Sequence, residues 1–510
     1  MYLQLDGNGS LHAQLTRALK TAMLGGLVKG ARLPSSRSLA RELGLSRNTV
    51  LAAYEQQRAE GFIDGRVGSG SYIARQLPAS PRGTPRLAGS VPPQSRFAAR
   101  MRACHDQDAI VGRDVPGARY AFRYGVPMTN PTLTTAWARR LSQAALYTSP
   151  GYSATAGLRE LREAICDYLA RRRGVHALPD DVLVVGGTQQ AISLIAHVLI
   201  DEGDEVAIEE PHYDAIRKVL VAQGARMRTV PVDEDGLICE ALPRDGVKLV
   251  CVTPSHQFPT GAVMSLRRRS ELLDYAAHHG AWIFEDDYDG EFRYDSKPLA
   301  ALRSLDSAGR VIYTGTFSKA LFPALRLGYL LMPSQLRRDF IAARWMADFC
   351  APAIEQAALA GFMQSGAFER HLRRSALELK ERRAVLIDGL RACSRGRLEV
   401  EDSRAGMHLI VWLPGRSDED VQALVRHAQM AGLGLYSITP YYLHAKPRAG
   451  LLMGYGALSV AEIRQGLALF ERCLDEVFPA KQAAAAAAAR TRKPGARGRR
   501  RRTQLPSRSG

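Results

Sequence analysis

Residues 77–102 carry Pro78, Pro81, Pro85, Pro92 and Pro93 among arginines, glycines and serines, with no acidic residue. Proline removes the backbone donor that a helix or a sheet ladder needs, so no core element is expected through this stretch. It divides the chain into a short head and a long body that must each find their own core. As a coil the stretch spans about 28 Å, and as a polyproline helix about 80 Å. The expected divisions are a head over 1–76, a linker over 77–119, a large part over 120–375, a small part over 376–478 and a tail over 479–510.

Charge follows the same divisions. The 510 residues carry a net +18. Residues 1–76 hold +5, residues 77–102 another +5 and residues 481–510 +10, which leaves the body near −2. Basic ends on a neutral body point to a polyanion partner, although a charged tail can also serve solubility alone. The tail joins an alanine run to arginine-rich sequence and offers nothing for a core, so disorder is expected there. Seven scattered cysteines form no CxxC pair and no zinc spacing, which fits a reducing cytosol and no metal. No signal peptide is visible, and no apolar run reaches the roughly 18 residues of a membrane helix. A cytoplasmic protein is expected.

In the head, Leu11, Leu15, Ala18, Leu19 and Ala22 recur at helical spacing. Ser38–Glu42 reads as a second helix that Gly44 breaks. Ser46 can cap a third helix running to about Glu60. Residues 61–63 and 71–74 read as short strands around a glycine-rich basic turn. Such an order suits a helix-turn-helix, whose second helix presents its first residues to base edges. Those residues are Ser46, Arg47, Asn48 and Thr49. Arginine suits guanine and asparagine suits adenine. Arg37 is placed to grip phosphate, and Gly68 and Ser69 would form a wing. The run Leu33-Pro34-Ser35-Ser36-Arg37, Leu45-Ser46-Arg47-Asn48-Thr49-Val50, Ala53-Tyr54 and Gly68-Ser69-Gly70 resembles the winged helix of the GntR family. That resemblance implies a double-stranded DNA operator as partner.

In the body, short apolar strands alternate with helices. Residues 182–185, 205–209, 248–253, 281–285 and 311–314 read as strands, and Leu266–His279 as one of the helices. This pattern argues for a mostly parallel sheet covered on both faces, with a smaller α+β part after it. Open sheets of this kind bind ligands at the carboxyl ends of their strands. Lys319 offers an amine there, Asp286 an anion, Tyr288 a phenol, and Thr188 a helix start where backbone N–H groups favour phosphate. Thr316, Ser318 and Arg326 would complete a phosphate cradle. These are the groups that pyridoxal 5'-phosphate needs.

The pieces Gly187-Thr188-Gln189-Gln190, Glu210-Pro211-His212-Tyr213, Glu285-Asp286-Asp287-Tyr288 and Thr316-Phe317-Ser318-Lys319 resemble the fold-type-I aminotransferases. The resemblance implies that Tyr213 stacks on the cofactor, that Gln189 lies beside it, and that Lys319 holds it as an aldimine. Two positions depart from the enzymes. Phe258 stands where their Gln-Asn-Pro motif has the asparagine that contacts the cofactor oxygen. Leu452 stands where an arginine grips the substrate carboxylate; Arg448 is either a substitute or a surface residue. Both halves in this order resemble the MocR/GabR subfamily of GntR regulators. The fold class implied is a winged helix-turn-helix joined to an α/β transferase domain of fold type I. The function implied is a homodimeric DNA-binding regulator that senses an amino compound, or pyridoxal phosphate itself, with no catalytic residues of its own. An active aminotransferase with an attached winged helix is the alternative. A DNA-binding protein whose body only dimerises is a third.

Overall fold

The computed structural model describes residues 3–66, 70–76, 94–105, 113–128, 131–294, 299–401 and 405–479. Two compact units divide between Pro93 and Gln94. Gly68 and Ser69, the prolines at 78, 81, 85, 92 and 93, and the tail from 480 lie outside the described residues.

Among its described residues the first unit has three helices, Leu11–Leu24, Ser36–Leu43 and Arg47–Ala59, then an antiparallel pair, Ile63–Arg66 with Gly70–Ile73. Ser10, Ser35 and Ser46 each accept a bond from the backbone N–H three residues on. That satisfies a donor which the helix itself leaves open. The second helix therefore begins earlier than expected, because Ser35 is its cap. Gly44 closes it at φ 66°, a left-handed conformation that glycine adopts without strain. Gly61, at φ 78°, is likewise a turn, so the first strand starts at Ile63. Leu15, Leu19, Leu39, Val50, Ala53 and Ile73 form the core of this unit.

The second unit is built on an eight-stranded sheet. From one edge its strands are Val182–Val185, Gly328–Leu331, Val311–Thr316, Trp282–Asp287, Val247–Val252, Glu205–Glu210, Arg226–Asp233 and Gly236–Leu237. The pairings are parallel except those of Gly328–Leu331 with both neighbours and of Gly236–Leu237. Successive side chains of a strand face opposite sides. Leu183 and Val185 join one buried cluster with helix Thr188–Leu199, while Val182 and Val184 join another on the far face. The sheet is thus buried on both sides, which explains strands that are apolar throughout. A four-stranded antiparallel sheet, Glu399–Glu401, His408–Trp412, Gly450–Gly454 and Tyr436–Ser437, forms the smaller part. Among the described residues no helix is long and apolar enough to cross a membrane.

Helices occupy or cross two of the expected divisions. The linker expected over 77–119 contains a helix, Arg96–His105. Its Arg100 donates to the carbonyls of Ala222 and Gln223 at 2.8 and 3.2 Å, and Arg96 reaches Glu202 at 3.3 Å. Carbonyls at a helix end lack partners within the helix, and a guanidinium satisfies them. Two of the arginines counted in the basic stretch 77–102 are thus bound to the body. The division expected at 375/376 falls inside one helix, Ala367–Ser394. No proline interrupts it. Phe368, Leu372, Leu379, Leu386 and Leu390 continue one buried stripe across that point.

Candidate functional site

Three strand ends and one helix start converge on a cavity at the carboxyl edge of the large sheet. Strand Trp282–Asp287 delivers Asp286 and, one residue beyond its end, Tyr288. Its neighbour Val311–Thr316 runs parallel, with Thr314 beside Asp286. That strand leads into the helical turn Phe317–Ala320, which carries Ser318 and Lys319. Strand Val182–Val185 leads through Gly186 and Gly187 into helix Thr188–Leu199. The cavity is lined by all nine residues expected to meet a cofactor: Lys319, Asp286, Tyr288, Tyr213, Thr188, Gln189, Thr316, Ser318 and Arg326. It is also lined by Gly125, Gly187, Thr253, Phe258 and Pro323.

The electrostatics follow from burial. Desolvation lowers Lys319 below the usual lysine range, with Asp289 and Asp286 opposing and Arg326 adding to the effect. Burial thus favours the neutral amine, the form that attacks a carbonyl. Lys319 Nζ donates to the carbonyl of Gly125. Burial pushes Asp286 up to about 8; the Thr188 hydroxyl opposes this, donating to the carboxylate at 3.2 Å. Thr188 therefore spends its hydroxyl on Asp286 and leaves its helix-start position for any anion. Desolvation also raises Tyr213 and Tyr288 above the usual phenol range.

One end of the cavity gathers bare backbone, hydroxyls and a guanidinium. Gly187 precedes the helix at φ 100° and ψ −178°, a region that only glycine occupies readily, and makes no side-chain cap. A Cβ there would lie 3.6 Å from both the Arg326 guanidinium and the Thr316 hydroxyl. Ser318 Oγ is buried with no hydrogen-bond partner among the described residues. Arg326 is held at φ 50°, itself unusual for a residue with a side chain. A bare backbone, a guanidinium, two hydroxyls and a helix start are what a phosphate requires.

The sequence reading missed the wall behind Tyr288. His256 and Asp289 are buried there, with Nδ1 and Oδ2 2.9 Å apart. The position of His256, between Ser255 and Gln257 of the motif that ends in Phe258 and Pro259, was the available signal.

Residues 125–443 match the family model of aminotransferase class I and II. A probable rhizopine catabolism regulatory protein, MocR, of Rhizobium meliloti is 36% identical over 92% of this chain and 94% of its own. An HTH-type pyridoxine biosynthesis transcriptional regulator, PdxR, of Corynebacterium glutamicum is 30% identical over 90% of this chain and 95% of its own. The crystal structure of alpha-aminoadipate aminotransferase LysN from Thermus thermophilus, solved with N-(5'-phosphopyridoxyl)-L-leucine, superposes with a TM-score of 0.67. It is 26% identical and covers 75% of this chain and 97% of its own. The chain belongs to the MocR/GabR subfamily of GntR transcriptional regulators. Its body has the aminotransferase fold of type I.

In this MocR-type regulator the two departures from the enzymes share one place. Phe258 and Leu452 belong to a single apolar cluster with Tyr124, Ile410, Trp412, Ile438 and Tyr441. Phe258 stands edge-on to Tyr213 and Tyr288, with ring centres 5.5 and 6.0 Å away. Leu452 is fully buried, so no cation stands at that position. Arg448 does not replace it: exposed, it pairs with Glu399 and lies over the Trp412 ring. In the first unit Arg37, Ser46, Arg47 and Asn48 are exposed and Thr49 is half-buried. Ser46 Oγ and Thr49 Oγ1 lie 2.8 Å apart, and Ser46 also caps the helix, so both hydroxyls serve the helix start.

Proposed function

We propose that the regulator holds pyridoxal phosphate in the Lys319 cavity and reads an amino compound, or the cofactor itself, through that lysine. The carrying observation is convergence: an amine, a carboxylate, a phenol and an anion cradle meet in one cavity. When bound, the cofactor supplies an aldehyde for which Lys319 and a free amine compete. Asp286 would hold a proton on the ring nitrogen, and a cation beside it would offset the burial that raises this carboxyl. Tyr288 would donate to the ring oxygen, and Tyr213 would offer a flat face. Gly187, Thr188 and Gln189 at the helix start, with Thr316, Ser318 and Arg326, would hold the phosphate. Lys319, when free, donates to Gly125. That bond ties the lysine turn to the segment 113–128 and gives a local change for the body to register.

The output is read from the first unit as a winged helix-turn-helix. Arg47 and Asn48 would meet base edges, Ser46 and Thr49 would fix the helix start, and Arg37 would grip phosphate. Gly68 and Ser69 would supply the wing. A homodimer suits paired half-sites. The contiguous exposed apolar side chains Trp345, Met346, Phe349 and Tyr152 suit burial against a second copy.

Little transaminase activity is expected. Intact Lys319, Asp286 and Tyr288 favour the rival reading of an active aminotransferase, but Leu452 leaves a substrate carboxylate without its arginine. Borohydride reduction of protein loaded with pyridoxal phosphate, followed by peptide mapping, should place the label on Lys319. Lys319→Ala should keep the fold by circular dichroism and lose the visible band. A label elsewhere, or a band that survives in Lys319→Ala, would refute the assignment.

A further inference from the structure

The phenol oxygen of Tyr288 lies 2.9 Å from Nδ1 of His256, which is not among the residues that line the cavity. The same nitrogen lies 2.9 Å from Asp289 Oδ2. Both side chains are buried, 1% and 2% exposed. A carboxylate accepts and does not donate, so the proton between these two belongs to Nδ1. That proton reaches both Asp289 and the phenol oxygen. Tyr288 is then an acceptor on its buried side, and its own O–H is left to point into the cavity.

The backbone is shaped around this pair. Gly406 sits at φ 78°, and a Cβ there would fall 2.6 Å from His256 Nδ1 and 2.7 Å from Asp289 Oδ2. A side chain at 406 would displace the contact. The carbonyl of Gly406 is in turn fixed by the hydroxyls of Tyr294 and Tyr455, each at 2.6 Å. The other titratable groups facing the cluster are His408, whose ring centre is 5.2 Å from that of His256, and Asp286, Asp287, Glu209 and Lys319.

We propose that His256, held by Asp289, is a positioning residue that fixes Tyr288 as a donor toward the cofactor's ring oxygen. It does so where Phe258 has removed the asparagine that shares this task in aminotransferases. With Phe258 unable to donate, control over that oxygen passes to Tyr288, and the polarity of Tyr288 is set from behind by the Asp289–His256 pair. This rests on the reading that the cavity holds pyridoxal phosphate.

The test uses full-length protein loaded with pyridoxal phosphate and follows the pH midpoint of the visible band of the lysine-bound cofactor. A donor to the ring oxygen stabilises the deprotonated form, so weakening it raises the midpoint. His256→Phe removes the Nδ1 donor. Asp289→Asn keeps the volume but replaces a group that only accepts with an amide that can also donate to Nδ1, so the Nδ1 proton is no longer held and the Tyr288 proton is released from its orientation toward the cavity. Both should raise the midpoint by about one pH unit, as Tyr288→Phe should. His256→Asn, which retains a donor near Nδ1, should fall closer to wild type. If Tyr288→Phe raises the midpoint while His256→Phe and Asp289→Asn leave it unchanged, the relay is refuted. If His256→Phe does not fold, Asp289→Asn alone decides. A wild-type protein with no visible band would instead overturn the underlying cofactor reading.

Discussion

His408 shows how burial sets charge at single residues around the cavity. Desolvation holds it down at about 4 against an ordinary 6.5, and its Nε2 lies 3.2 Å from the carbonyl of Pro259. A neutral ring donates there without cost; a charged one would be stranded. Between pH 6.5 and 4 the unfolded chain takes up a proton at this position that the folded chain refuses. The stability contributed is therefore present above 6.5 and lost as pH falls through 4. Its full size is on the order of 3 kcal/mol. Glu209, raised to about 7 by burial, has the opposite sense. The comparison must accordingly be made between variants. In urea unfolding, the stability advantage of wild type over His408→Phe should shrink between pH 6.5 and 4. An advantage independent of pH would mean that His408 is not held neutral.

At the scale of elements, the proposed function rests on helix starts. Gly187→Ala places a Cβ at φ 100° into the space between Arg326 and Thr316. A penalty of about 1–3 kcal/mol on forming the cradle predicts a ~5- to ~150-fold loss of affinity for pyridoxal phosphate. The loss should be much smaller for pyridoxal, which lacks the phosphate; an equal loss for both would remove Gly187 from the cradle. Arg47→Ala should cost about 1–3 kcal/mol of operator binding and relax sequence preference at one position. Normal, selective binding by that variant would displace Arg47 from the recognition role.

What the sequence made legible follows from the same elements. Helix Leu266–His279 was readable to the residue because Ser265 caps it and Gly280 ends it at φ 69°. The strands were readable because they are apolar on both faces. The cavity residues were readable because most of them sit in short runs at or just beyond strand ends, such as Asp286 with Tyr288, and Thr316 with Ser318 and Lys319. The helix Arg96–His105 was not legible: its partners, Glu202 and the carbonyls of Ala222 and Gln223, lie more than a hundred residues away. The same holds for His256, whose role depends on Asp289, 33 residues on, and on a glycine at 406. Local pattern reports caps and periodicity; contacts between distant segments leave no local mark.

At the scale of the whole molecule, a regulator differs from an enzyme in where the cofactor's chemistry ends. Here the cavity keeps Lys319, Asp286 and Tyr288, and its lining residue Phe258 shares an apolar cluster with Leu452. The exchange at Lys319 is expected to end in a changed affinity for DNA, and no larger change is possible than the ligand's differential affinity for the two states. Genome-wide mapping of bound sites supplies an operator. The decisive measurement is the affinity of the full-length protein for that operator, with and without pyridoxal phosphate, in wild type and Lys319→Ala. Wild type should change its affinity on adding the cofactor by about fivefold or more, a coupling of about 1 kcal/mol, and Lys319→Ala should not respond. Equal affinity in all four conditions would contradict a sensor that works through Lys319.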